Sequence, residues 1–417
     1  MKQWVRHTAV LFLIALIAGY TQSFAFAQED SPPMPEQPPP THLVALGDSW
    51  TALAYRFHST PRELIALNKT INLDRQPAVG TEITLPVTAE AERFGRFLRP
   101  SAGGTLELAL CSNRSPWALA LQNDLRSPYS PLLYTPIILE EKTSTLLELP
   151  FGVETLEMAP GTLTPGTALA LHARTDEEAL PAISLEGEPL VVTPQEEQIT
   201  ALGGTGAFYP PGQHLLQIQF ENQPLWEQPV IIADRFWNWE EVNYTNPDVL
   251  DQEAIRLERE RLQTLWDEAT PEALWQGAFT EPLEHYVEIS SYYGARRSVS
   301  GGPYATYHEG TDFSAYGGTP VLAPAAGVVV LAEELAIRGG AVILDHGLGL
   351  HSGYYHLSAI HVEPGQKVEA GDLLGEVGTT GRSTGNHLHW DLLIGRMWID
   401  ALGWLEGGVD EWLIGGE

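Results

Sequence analysis

The C-terminal part of the chain is made of short apolar runs broken by glycine: VLAPAAGVVVLAEE (321–334), GGAVILDHGLGLHSGYYHLSAI (339–360) and VEPGQKVEAGDLLGEVGTTGRSTGNHLHWDLL (362–393). β-Branched and leucine residues suit a pleated surface and glycine supplies the backbone angles of tight turns, so these runs predict antiparallel strands. Upstream, residues 150–234 alternate apolar and polar positions with turn signals about every ten residues, which predicts a small Ig-like β-sandwich. Nothing in that stretch carries chemistry, and it reads as a spacer. The intervening 235–284 reads as a linker with one amphipathic helix over 246–269. Asn246 is its N-cap, Pro247 its first residue, and Val249, Leu250, Ile255, Leu262, Leu265 and Trp266 stand among charges. Its acidic residues and its position favour packing on the C-terminal domain over a membrane surface.

Residues 42–87 follow a different rhythm. A strand ends at Gly47-Asp48, a first helix carries Leu53, Ala54 and Phe57 on one face, a second runs from Pro61 to Asn68, and a strand follows Gly80. This is a βααβ unit. A fainter copy follows over 98–142: Pro116, Leu119 and Asn123 repeat the spacing of Pro61, Leu64 and Asn68, and Ile137-Ile138-Leu139 corresponds to Ile83-Thr84-Leu85. The matched residues are chiefly core formers, so the stretch is either a degenerate second copy or an ordinary helix and hairpin.

The N-terminus adds a cellular address. Lys2 and Arg6 precede an apolar stretch from Ala9 to Tyr20, and Ala25-Phe26-Ala27 forms an AxA cleavage site, so residues 1–27 read as a secretory signal peptide. The apolar core is short for a span of about 20 residues, which implies no stable membrane span after cleavage. A Pro-rich linker (28–41) follows. Net charge is −31, which excludes affinity for nucleic acid or anionic lipid. Cys111 is the single cysteine, so no intramolecular disulfide forms and core burial must stabilise the fold.

The candidate chemistry is in histidines. His387 and His389 occupy alternate positions of one predicted strand, so both imidazoles face the same side, about 7 Å apart at their Cα atoms. One can bind a metal while the other works on a substrate. With His308 and Asp312 of HEGTD, the chain offers two imidazoles and a carboxylate, a zinc set that leaves one position for water.

HEGTD (308–312), YYHLS (354–358) and HLH (387–389) in this order resemble the HxxxD, YxHLS and HxH motifs of the M23 zinc endopeptidases, the lysostaphin type, over about residues 286–404. The resemblance implies a C-terminal antiparallel β-sheet peptidase domain (285–417), with His308, Asp312 and His389 as zinc ligands and His356 and His387 as catalytic residues. Asn386 replaces a common proline, and Trp390-Asp391 a usual Phe-Glu. His285, His346, His351 and His361 match no motif. GDSWTALA, PRELIALN and GTEITLP in turn resemble a LysM domain, which implies binding of glycans containing N-acetylglucosamine. The expectation is a mainly β, multidomain, secreted protein, extracellular or periplasmic. It is expected to use Zn2+ to hydrolyse peptide cross-links of peptidoglycan, held on the glycan strands by LysM. The competing expectation is a non-catalytic wall-binding activator of an amidase, against which the complete ligand set counts.

Overall fold

The computed structural model describes residues 38–407 except 70–75, 87–93, 99–102, 113, 124, 133–134, 136, 146, 151, 176–178, 196–197, 244–251, 269 and 406. The expected signal peptide, most of the Pro-rich linker and the Asn246 cap lie outside the described residues.

The first unit pairs β1 (Thr41–Leu43) with β2 (Glu82–Thr84) around α1 (Trp50–Arg56) and α2 (Pro61–Leu67). Ser49 and Thr60 cap the two helices by accepting from the amides of Ala52 and Glu63, which satisfies donors that a helix start leaves free. Trp50, Leu53, Phe57, Leu64 and Ile83 fill its core. Asn68 closes the unit: its Nδ2 donates to the carbonyls of Leu64 (2.8 Å) and Thr84 (2.9 Å), and its Oδ1 accepts from Thr84 N (2.8 Å).

The same order recurs in β3 (Phe94–Leu98), α3 (Thr105–Cys111), α4 (Pro116–Gln122) and β4 (Ile137–Thr145). Asn123 makes the equivalent clamp, to Leu119 O (3.1 Å), Ile138 O (2.9 Å) and Ile138 N (2.6 Å). This second unit begins with Phe94, so a boundary at residue 98 cuts through its first strand.

Two four-stranded antiparallel sheets follow. One has the order β5 (Val153–Ala159), β6 (Ala168–Thr175), β10 (Gln198–Gly204), β9 (Val191–Gln195). The other has the order β12 (Trp226–Ile232), β11 (Gly212–Gln219), β7 (Ala182–Leu185), β8 (Glu188–Pro189). Leu169, Leu171 and Ile199 meet Ile183, Leu216 and Val230 between them. The first βααβ unit is docked on this sandwich. Leu46 and Val79 enter the sandwich core, each worth about 1.5–3 kcal/mol when fully buried. Gln228 accepts from Gly47 N (2.6 Å) and donates to Asp48 O (2.9 Å).

The linker strand β13 (Trp239–Val242) pairs in parallel with β15 (Arg296–Val299), which pairs with β16 (Thr306–Tyr307). Helix α5 (Gln252–Trp266) lays Leu262 and Trp266 on the large C-terminal sheet. That sheet has the order β14 (Glu288–Ser291), β17 (Gly310–Ser314), β24 (His387–Ile394), β21 (Leu350–Ile360), β20 (Gly339–Gly347), β19 (Gly327–Leu335), β22 (Lys367–Val368). The pair β18 (Pro320–Leu322) and β23 (Leu373–Val377) joins at β21, and β25 (Met397–Ile399) joins at β24. Val342, Leu344, Tyr354 and Trp390 bury one face; Ala341, Ile343, Tyr355 and Leu393 bury the other under α5. A sheet covered on both sides reads as unbroken apolar sequence, as GGAVIL does. The sandwich does more than space its neighbours: Ala168, Ala170 and Leu202 belong to the core of the C-terminal domain. Among the described residues no helix is long and apolar enough to cross a membrane.

Candidate metal centre

Strand register builds the centre. Antiparallel pairing of β17 with β24 sets Asp312 opposite His389 and Ser314 opposite His387, and β21 places Tyr355 on the other side of His389. Opposed residues share a face, and so do alternate residues of one strand. His387, His389 and Asp312 therefore converge, while Leu388 and Trp390 point into the core. His308 follows β16, fixed by backbone hydrogen bonds between His308 N and Ala295 O (2.9 Å) and between Gly294 N and His308 O (2.8 Å). The strands approach closely at Gly310. A Cβ there would stand 2.5 Å from the Trp390 carbonyl oxygen and 2.7 Å from His389 Nε2.

His308 Nε2 lies 3.0 Å from Asp312 Oδ1 and 3.0 Å from His389 Nδ1, and His389 Nδ1 lies 2.8 Å from Asp312 Oδ1. Donors of a tetrahedral zinc, with bonds of about 2.0–2.2 Å, stand on the order of 3.3 Å apart. The trio fits such an ion after opening by a few tenths of an ångström. Burial holds His308 and His389 below the usual histidine range, so both are neutral, with a lone pair to give. Burial pushes the Asp312 carboxyl up, but His308 and His389 outweigh it and keep the group well below the ordinary carboxylate range. All three are thus in the protonation states that metal ligands need.

Two further imidazoles stand beside the trio. His356 and His387 have ring centroids 4.7 Å apart, and His387 Nε2 is 3.8 Å from Asp312 Oδ1. Each has Nδ1 2.8 Å from a backbone carbonyl, Thr380 for His356 and Gly385 for His387. A carbonyl only accepts, so Nδ1 carries the proton and Nε2 remains the free nitrogen. Burial, reinforced by His387 and His389, holds His356 down to about 3. Its backbone is left-handed, φ 63°, an uncommon state for a residue with a Cβ. Its amide donates to Arg338 O (2.9 Å).

The residues around this group were not legible as site residues. Ser291, Glu240 and Arg297 surround His308 and Asp312. Arg338 spans Glu258 of α5 (3.1 Å) and Glu309 (3.5 Å), with its guanidinium 5.1 Å from the Tyr355 ring centroid. Arg297, fifteen residues before Asp312, pairs with it only through the fold, its guanidinium 3.3 Å from Asp312 Oδ2. The four histidines without a motif stay apart: His346 and His351 are buried elsewhere in the sheet, His361 pairs with Glu376 (3.1 Å), and His285 is exposed.

The profile of Peptidase family M23 matches residues 306–401, and that of the LysM domain matches residues 42–86. The peptidoglycan DD-endopeptidase ShyA of Vibrio cholerae is 38% identical over 121 residues, 29% of this chain and 28% of that protein. The DD-carboxypeptidase/endopeptidase Mpg of Neisseria meningitidis is 41% identical over 120 residues, 28% of this chain and 27% of that protein. The chain thus spans under a third of the length of these curated relatives. A crystal structure from Pseudomonas aeruginosa assigned to peptidase M23 is 26% identical and covers 58% of this chain and 94% of its own, with a TM-score of 0.44.

Proposed function

From a chain that carries a peptidase family M23 domain and a LysM domain, we propose a zinc-dependent endopeptidase that hydrolyses peptide cross-links of peptidoglycan. The observation that carries this reading is the His308, Asp312, His389 group with two more imidazoles on the same face. Zinc bound there would polarise the scissile carbonyl and lower the pKa of a water toward ~7. His308, Asp312 and His389 would hold the ion. His356 would enter the reaction neutral, with Nε2 placed to accept a proton, and His387 Nε2, on the same face, would stabilise an oxygen that gains charge once it has itself taken up a proton. The names of the curated relatives point to the D,D cross-link as the bond cut.

The LysM domain would hold the glycan strand. Because it is docked on the sandwich through Gln228, Leu46 and Val79, it presents the wall from a fixed scaffold, which raises the local substrate concentration. The protein would work outside the cytoplasm, as the sequence of residues 1–27 implies. Purified peptidoglycan incubated with the full chain should release cross-link cleavage products by mass spectrometry, and a zinc chelator should stop their release. Wall binding with no new products, but with stimulation of an added amidase, would replace this reading by that of a non-catalytic activator.

A further inference from the structure

The buried side of His308 is tied to a segment outside the peptidase domain. Ser291 Oγ lies 2.8 Å from Glu240 Oε2, 2.8 Å from His308 Nδ1 and 2.9 Å from the Arg297 guanidinium. A carboxylate only accepts and a guanidinium only donates. The single Ser291 proton therefore goes to Glu240, and the two lone pairs receive Arg297 and the Nδ1–H of His308. This leaves the lone pair of His308 on Nε2, the atom 3.0 Å from Asp312 Oδ1. The carbonyl of Tyr292, 3.2 Å from Nδ1, supports the same tautomer. Glu240 also faces Arg297 (3.3 Å), which in addition reaches Asp312 Oδ2 (3.3 Å). Without the Glu240 carboxylate, the Ser291 hydroxyl is free to donate to Nδ1, which moves the ring proton to Nε2, and the unbalanced arginine draws Asp312 toward itself.

We propose that Glu240, carried on the linker strand β13, is a positioning residue for the metal ligand His308. The metal centre is thereby completed by a residue upstream of the peptidase domain. This inference rests on the zinc reading of the centre.

The test titrates zinc against a chromophoric chelator in the full chain. Glu240→Ala should weaken zinc binding about tenfold, the low end of what outer partners of a ligating histidine contribute. Ser291→Ala should weaken it by a similar factor, and the double variant by little more than either, because both act through one proton. Glu240→Gln, which keeps an acceptor oxygen but not the charge, should fall between wild type and Glu240→Ala, and it serves as the reporter if the alanine variant fails to fold. A role confined to strand packing would lower the unfolding temperature without changing the zinc Kd. Wild-type zinc affinity in Glu240→Ala, or in Glu240→Gln when that variant is the reporter, overturns the proposal, as do losses that multiply in the double variant. Failure of the wild-type chain to bind zinc overturns instead the reading on which it rests.

Discussion

The C-terminal sheet holds two buried groups of histidine and aspartate that look alike in composition and differ in what their lone pairs do. Around Asp345, His346 is bonded at both nitrogens, to Ala326 O (2.8 Å) and Ser352 Oγ (2.7 Å), and Ser352 meets the Tyr354 hydroxyl (2.7 Å). Asp345 is occupied by Thr270 and by the amide of Gly347. Around Asp312, two imidazole nitrogens and a carboxylate oxygen crowd within reach of one ion, and both flanking imidazoles are anchored only through Nδ1. His346 and Asp345 are satisfied by the protein itself, although the neighbouring His351 Nε2 has no hydrogen bond and lies 3.9 Å from Asp345 Oδ1; the second group turns its donor atoms toward one point that could hold a metal. Burial and proximity do not mark a functional cluster. Donor atoms that aim at one another and lack protons do.

The sharpest way to break this contrast is to exchange the carboxylates. Asp312→Ala should lose zinc and lower turnover by on the order of 10³-fold or more, since two imidazoles do not hold the ion in a competent geometry. Asp345→Asn should keep wild-type zinc content and lose stability. Metal analysis of both purified variants, with turnover on a soluble cross-linked peptide, checks the pair. Full zinc and normal turnover in Asp312→Ala would mean that the two groups differ only in exposure.

Within the Asp312 group, ligands and flanking imidazoles should separate. His356→Ala and His387→Ala are expected to retain zinc and lose roughly 10²-fold in turnover, whereas His389→Ala loses the metal. If His387→Ala loses zinc and His389→Ala keeps it, the two roles are exchanged.

The Asp345 group makes a prediction in pH. Burial holds His346 down to about 4, against 6.5 for the free side chain. A histidine with a depressed folded pKa is protonated first in the unfolded chain. Its contribution to stability is full above about 6.5 and is lost as pH falls toward about 4. Between pH 7 and pH 5 this amounts to about 2 kcal/mol. Urea unfolding at the two values should show that much less acid destabilisation in His346→Gln than in wild type. Equal losses in both would place the acid sensitivity elsewhere.

Sequence legibility followed the range of the interactions. The spacing of His387 and His389 on one strand is a local property, and so is the Pro-to-Asn interval of the βααβ units. The opposition of Asp312 and His389 is not local: it depends on the pairing of strands far apart in the chain, and only the family motifs carried it. The sandwich was legible as alternation, but its second interface was not. One signal for it stands in β6, where Leu169 and Leu171 face the sandwich core while Ala168 and Ala170, with no polar residue between them, face the C-terminal domain. A stretch apolar at every position, as residues 168–171 are, is buried on both sides. Glu240 and Glu258 could not be read as site residues at all, because charged residues in a linker look like solvated ones until tertiary pairing brings them to His308 and Arg338.

Those two carboxylates allow the smallest and most selective test. Glu258 of α5 accepts from Ile337 N (2.7 Å) and from the Arg338 guanidinium (3.1 Å), and the Arg338 carbonyl in turn receives the His356 amide (2.9 Å). The helix thus fixes the backbone on which His356 takes its left-handed conformation. Glu258→Gln preserves size and one acceptor but removes the charge that opposes Arg338. A loosened His356 should lower kcat about five- to tenfold, of the order of one misplaced catalytic hydrogen bond, with zinc affinity and KM unchanged. Glu240→Gln should do the reverse, weakening zinc and sparing turnover once the metal is saturating. Zinc titration and steady-state kinetics on the two variants side by side decide the matter. If both lose the same property to the same extent, the linker acts as one undivided brace and the separate assignments to His308 and His356 fail.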